Sequence, residues 1–155
     1  MSKYAEGTSV PIGRSRDEIE HTLGRFGATG QLWARDDEAH KVTIGFKWHE
    51  ALYKFMVALP DASEFTLTPT GRSRPLGSAA DVRDQETRRR FRSLANYIKA
   101  LLDATETGII KMEEALMPYQ VLPGGQTVYE HLRPQLLEGH APSLTHALMS
   151  GREHE

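Results

Sequence analysis

Between residues 83 and 99 the chain carries Arg83, Arg88, Arg89, Arg90, Arg92 and Lys99 against only Asp84 and Glu86. A guanidinium group presents a planar fork of donors that clamps a phosphate or carboxylate through two parallel hydrogen bonds. At about 100° per residue of α-helix, Arg88, Arg92 and Lys99 fall within roughly 40° of one another, on one flank of an apolar stripe. Arg83 and Arg90 fall on the opposite flank, and Arg89 points away from the stripe. Arg72 and Arg74, in the Pro- and Gly-containing stretch just before, can join either side. The chemistry implied is phosphate recognition, by a binding protein for nucleic acid or a phosphorylated nucleotide. The competing reading is a solvated helix face, with Asp84 paired to Arg88 and Glu86 to Arg90 at spacing four.

Other residue types offer less. Trp33, Phe46, Trp48, Tyr53 and Phe55 lie in a region of alternating pattern, and an exposed aromatic on a sheet can stack a base. Phe46 shares a face with Val42 and Ile44, and Phe55 with Val57, so these belong to a core. Trp48, in a turn beside His49, is the aromatic left available for a ligand. The seven histidines are scattered, with no HExxH and no pair at metal-ligand spacing, so no metal site is expected. Ser15, Ser63, Ser73 and Ser93 lack a nucleophile-elbow context. Gly124-Gly125-Gln126-Thr127 lacks the lysine and spacing of a phosphate-binding loop. Asp36/Asp37 and Glu113/Glu114 are adjacent in sequence and share no face. No acid–base or nucleophilic set is visible, so the chain reads as a non-enzyme with no cofactor.

The elements that must position these groups follow from periodicity. Residues 1–13 read as an arm. Ser15-Arg16-Asp17-Glu18 has the form of a capping box, Ile19, Leu23 and Phe26 a helical stripe, and Gly27 a stop. The pattern then alternates: Gln31–Arg35, Lys41–Lys47 and Leu52–Leu59 read as three strands joined by short polar turns, an antiparallel meander. Residues 61–77 hold Pro69, Gly71, Pro75 and Gly77 and read as a surface loop, with Phe65–Thr68 as an edge strand. Ser78–Thr107 is the long helix, capped by Ser78 and stopped by Gly108. Phe91, Leu94, Ile98, Leu101 and Leu102 line its apolar face, with Ile98 and Leu101 expected against Val42, Ile44 and Phe46. Ile109–Met117, a second capping box at Thr127–Glu130, an interruption or bend at Pro134, a stop at Gly139 and a last helix over Pro142–Met149 complete the chain. Residues 151–155 read as a frayed tail.

A chain of 155 residues with 39% hydrophobic and 26% charged residues suits a single soluble α+β domain: N-terminal helix, meander, long central helix on the sheet, short C-terminal helices. The net charge of −2 confines any anion-binding surface to a local patch. The lack of cysteine, of a membrane-length apolar run and of a signal-peptide pattern fits the cytoplasm. A long helix outrunning a small sheet leaves apolar surface for a second copy, so a homo-oligomer is expected.

Several pieces carry a family resemblance: Val10-Pro11 followed by Ser15–Ile19, Gly27-Ala28-Thr29, Phe46 with Leu59-Pro60, the Arg-rich run into Ile98-Lys99-Ala100, and Leu122-Pro123-Gly124-Gly125-Gln126-Thr127. Together they resemble small uncharacterised proteins encoded by tailed bacteriophages and prophages. The resemblance implies an accessory phage protein acting in the cytoplasm of the infected host cell. Such genes often serve DNA metabolism or block host defence, so a protein–protein inhibitor or adaptor directed at a host protein stands beside the nucleotide reading. The resemblance assigns no site residue.

Overall fold

The structure, a computed structural model, describes residues 9–139. The tail at 151–155, the helix expected at Pro142–Met149 and most of the N-terminal arm lie outside the described residues. The architecture is α+β. Helix α1 spans Ile12–Arg25, strands β1, β2 and β3 span Thr29–Asp36, Lys41–Trp48 and Ala51–Ala58, and α2 spans Leu76–Glu106. Short helices α3, Met112–Leu116, and α4, Val128–Glu138, follow.

The strands form one antiparallel sheet in the order β1-β2-β3. Val42, Ile44 and Phe46 are buried and sit opposite Val57, Phe55 and Tyr53, so both strands turn the same alternate residues inward. On β1, Trp33 and Arg35 sit opposite Ile44 and Val42 and share that inward face. Onto it pack α1, through Ile19 and Leu23, and α2, through Phe91, Ala95, Ile98 and Leu102. The long helix therefore covers the sheet as its stripe requires, with one adjustment. Ile98 is fully buried, whereas Leu94 and Leu101 are partly buried at the margins. Ala95, too small to register in a stripe of large residues, holds the centre line.

Both serine caps are corrected. The first helix begins after Pro11, and the Ser15 N–H already donates a helical bond to the Pro11 carbonyl. Ser15 is one turn inside, on the core face, and burial outweighed its capping preference. Pro75 likewise precedes α2, placing Ser78 within the first turn. The stops are as the glycines require. Gly27 (φ +91°) and Gly108 (φ +77°) take left-handed conformations, and the Ala28 and Ile109 N–H groups reach back to Leu23 and Ala104.

The segment expected as an edge strand begins instead as a 3₁₀ turn, Ala62–Phe65, with only an isolated bridge between Leu67 and Ser73. Its start is a side-chain cap. The Ser63 N–H donates to Asp61 and the Asp61 N–H to Glu64, which competes with extended pairing. Beyond α2, helix α3 is shorter than the Ile109–Met117 stripe and passes into a 3₁₀ turn that contains Pro118. Leu116 joins the core, and Gln120 and Val121 run along the free edge of β3, where the Val121 N–H donates to the Leu52 carbonyl at 2.8 Å. The capping box of Thr127 and Glu130 opens α4, which runs through Pro134 without interruption to Gly139.

Candidate ligand-binding cleft

Helices α1 and α2 lie side by side and point the same way: Glu18 pairs with Arg92, and Arg25 with Asp103 at 3.1 Å. Between Ala79 and Phe91 no residue of α2 is fully buried. The positions one and two turns before Phe91 are Thr87, Arg88 and Asp84. Here the helix passes beyond the end of the sheet, and a cleft of about 500 Å³ opens between α2, the β1–β2 turn and the chain after β3. Its volume falls within the range of small-molecule sites. Arg35, Arg83, Arg88 and His40 line it, together with Asp37, Asp61 and Asp84. An adjoining apolar recess of about 230 Å³ shares the walls at Ile12, Arg35, Leu59 and Thr87 and is lined further by Trp33, Val42 and Phe91.

The charges are arranged as weak surface pairs. Arg35 Nε lies 2.6 Å from Asp37, and Arg83 Nη2 lies 2.8 Å from Asp84, with all four side chains well exposed. Exposed pairs of this kind are worth about 0–1 kcal/mol, so an arriving anion exchanges one carboxylate partner for another at small cost. Arg88 has no carboxylate partner among the described residues; its Nη2 donates to Gln85 Oε1 at 2.6 Å. His40, held at φ +46° where the chain turns into β2, brings Nδ1 to 3.9 Å from Asp61. The hydrogen bonds from Ser63 hold the Asp61 carboxyl below the usual carboxylate range, with His40 and Arg83 adding to the effect. In the recess Trp33 stacks on Phe91 with ring centroids 6.2 Å apart, and the Arg16 guanidinium lies 4.8 Å over the indole.

Of the residues expected to bind a ligand, only Arg88 reaches this cleft. Arg92 is turned to α1 by Glu18. Lys99 is exposed but lies about 16 Å farther along the helix. Arg72 is exposed in its loop, where its N–H bonds the Thr68 hydroxyl. Arg74 is spent on loop geometry, its N–H on the Thr66 carbonyl and its Nη1 toward the Phe65 carbonyl. Trp48 sits at the far end of β2, half-buried rather than open, with its indole N–H on the Phe26 carbonyl at 3.2 Å and its ring against His49. The pairs proposed at spacing four are half present: Glu86 holds Arg90 at 3.0 Å and Arg89 at 3.1 Å, whereas Asp84 turns to Arg83.

The cleft residues missed from sequence are Arg35, His40 and Asp61, together with Arg83, which was assigned to the other flank. Two signals were present. Arg35 alternates with Trp33 and therefore faces inward, an unusual place for a cation unless the sheet ends there. Asp61 to Glu64 has the D-x-x-E form of a capping box. No family model, curated protein or solved structure matches this chain.

Proposed function

We propose that this chain is a non-catalytic binding protein for a phosphorylated nucleotide. The observation that carries the reading is a cleft lined by guanidinium and imidazole groups that shares Ile12, Arg35, Leu59 and Thr87 with an adjoining aromatic recess. Arg88 is the first anchor for phosphate, and Arg35 and Arg83 can be drawn from their weak pairs to complete a clamp. Asp61, ionised in the same wall, accepts hydrogen bonds from sugar hydroxyls or an exocyclic amine. The recess has the volume and the apolar walls for a base.

A polymer is supported less well. Glu18 pairs with Arg92, and Glu86 is shared by Arg89 and Arg90, so carboxylates interrupt the cationic ridge along α2. No helix among the described residues is long and apolar enough to cross a membrane. In the phage setting that the resemblance implies, the ligand would be met in the host cytoplasm.

Calorimetric titration with nucleoside triphosphates, cyclic nucleotides and short single- and double-stranded oligonucleotides, at two salt concentrations, tests this. Wild type should bind a mononucleotide, Arg88→Glu should weaken binding at least about tenfold, and Lys99→Glu should leave it unchanged. Binding of oligonucleotides alone, with loss in Lys99→Glu, returns the site to the whole helix ridge. No binding of any of these ligands, or an unaffected Arg88→Glu, overturns the reading.

A further inference from the structure

Helix α4 contains no buried residue, yet four of its eleven positions are large and apolar and stand in solvent. Tyr129 is 57% exposed, Leu132 40%, Leu136 74% and Leu137 72%. Tyr129, Leu132 and Leu136 follow the spacing that lines one helix face, with Leu137 on its margin. An isolated helix of this length is marginal in water, and Pro134 inside it removes a backbone bond. The capping box offsets only part of that cost. The helix is tethered at its start, where Lys54 Nζ donates to the Gly125 carbonyl at 2.8 Å and lies 3.6 Å from Glu130. Beyond that first turn none of its residues belongs to the core.

We infer that a second copy of this chain covers the α4 face, giving a twofold homodimer. The face is self-complementary. Two copies of α4 laid antiparallel, with the axis at the level of Pro134, set Leu132 of each against Leu136 of the other. At about 100° per residue His131 and Glu138 lie on the far side of the helix, Arg133 falls between Tyr129 and Leu137, and Glu130 borders Leu137. The antiparallel register sets Arg133 of one copy at the level of Gln135 of the other rather than of its own counterpart. With one cation and one carboxylate at its border, the patch has no net charge that would select an acidic or basic foreign partner.

Its size also fits. Next to α4, a groove of about 390 Å³ against the outer face of β3 adds Met56, itself 44% exposed. At roughly 150–250 Å² per large side chain, the exposed fractions of Met56, Tyr129, Leu132, Leu136 and Leu137 leave on the order of 500 Å² in solvent. A standard interface buries about 800 Å² per partner, a little over half of it apolar. No cleft residue belongs to this face, so dimerisation leaves the cleft open.

Light scattering of the full chain across a wide concentration range should give twice the 17.4 kDa chain mass. Leu136→Asp should give the single-chain mass at concentrations where wild type is dimeric. The chain has no cysteine, so geometry can be read directly. Leu132→Cys mixed with Leu136→Cys under mild oxidation should form the mixed disulfide dimer, which reports the register even if the aspartate variant fails to fold. A wild type that is monomeric throughout, or a mixture that forms no mixed dimer, overturns the inference. So does recovery of the monomer in stable complex with an unrelated protein through this face, which assigns α4 to a foreign partner.

Discussion

Ser15 carries a hydroxyl that is fully buried and lacks a hydrogen-bond partner among the described residues. A buried unsatisfied hydroxyl costs about 1–3 kcal/mol, and serine inside a helix is slightly less favourable than alanine. Ser15→Ala should therefore raise stability by roughly 1 kcal/mol, seen as a higher denaturant midpoint with unchanged slope. A serine acting as the helix cap would give the opposite sign, a loss of about 0.5–2 kcal/mol. The same measurement thus decides which of the two roles the residue has. At this scale Trp33 is the companion case. Its indole N–H is also buried without an acceptor, on the wall of the recess proposed to hold a base. Arg88 differs from both because its donors are only partly committed, which is why a single charge reversal there is the sharpest test of binding.

Helix α4 opens on a titratable contact. The Thr127 N–H donates to Glu130 Oε2 at 2.7 Å, and the Glu130 N–H donates to Thr127 Oγ1 at 3.1 Å. The backbone hydrogen bond from Thr127 holds the Glu130 carboxyl below its ordinary value, and Lys54 adds to the effect. A depressed folded-state value means that the ionised carboxylate stabilises the fold. That contribution is complete above the unfolded value of about 4.3 and is lost as pH falls through the lower folded value. Helicity of the α4 segment, followed by amide NMR from neutral to acid pH, should fall in that window. Glu130→Gln should remove this transition while leaving the rest of the acid profile, including that from Asp61, in place. An α4 signal with the same acid transition in both proteins would contradict this role.

For the whole molecule, the overhang of α2 decides where a ligand can go. A helix of 31 residues runs about 45 Å, roughly twice the length of an eight-residue strand, so one end must leave the sheet. Where it does, the positions one and two turns before Phe91 are polar, and the β1–β2 turn and the chain after β3 close the remaining sides of the cleft. On α2 the stripe from Phe91 to Leu102 is covered by the sheet and α1, whereas α4 exposes Tyr129, Leu132, Leu136 and Leu137 on the β3 side. Cleft and proposed dimer face are therefore separate surfaces. Leu136→Asp, whatever its mass in solution, should bind a nucleotide with wild-type affinity in the same titration. A loss of affinity in step with loss of the dimer would mean that the ligand site is shared between copies.

Much of the fold was legible because its causes are local. The alternation of Val42, Ile44 and Phe46, the stripe through Phe91, Ile98 and Leu102, the box at Thr127–Glu130 and the glycines at 27 and 108 each act through neighbours a few residues away. These settle element type, and the short turns settle the antiparallel order. Only the tertiary structure decided which cations share a site. Arg92 looked equivalent to Arg88 on a helical wheel, but Glu18, 74 residues away in sequence, claims it. Arg35 and Arg83 looked unrelated, and the end of the sheet brings them to one cleft. Ser15 and Ser78 kept their local preference for a cap, yet the helices began a turn or less earlier, at prolines. In each case the deciding quantity is how far one element extends past another, and that length is set by packing across the core, which no spacing along the chain records.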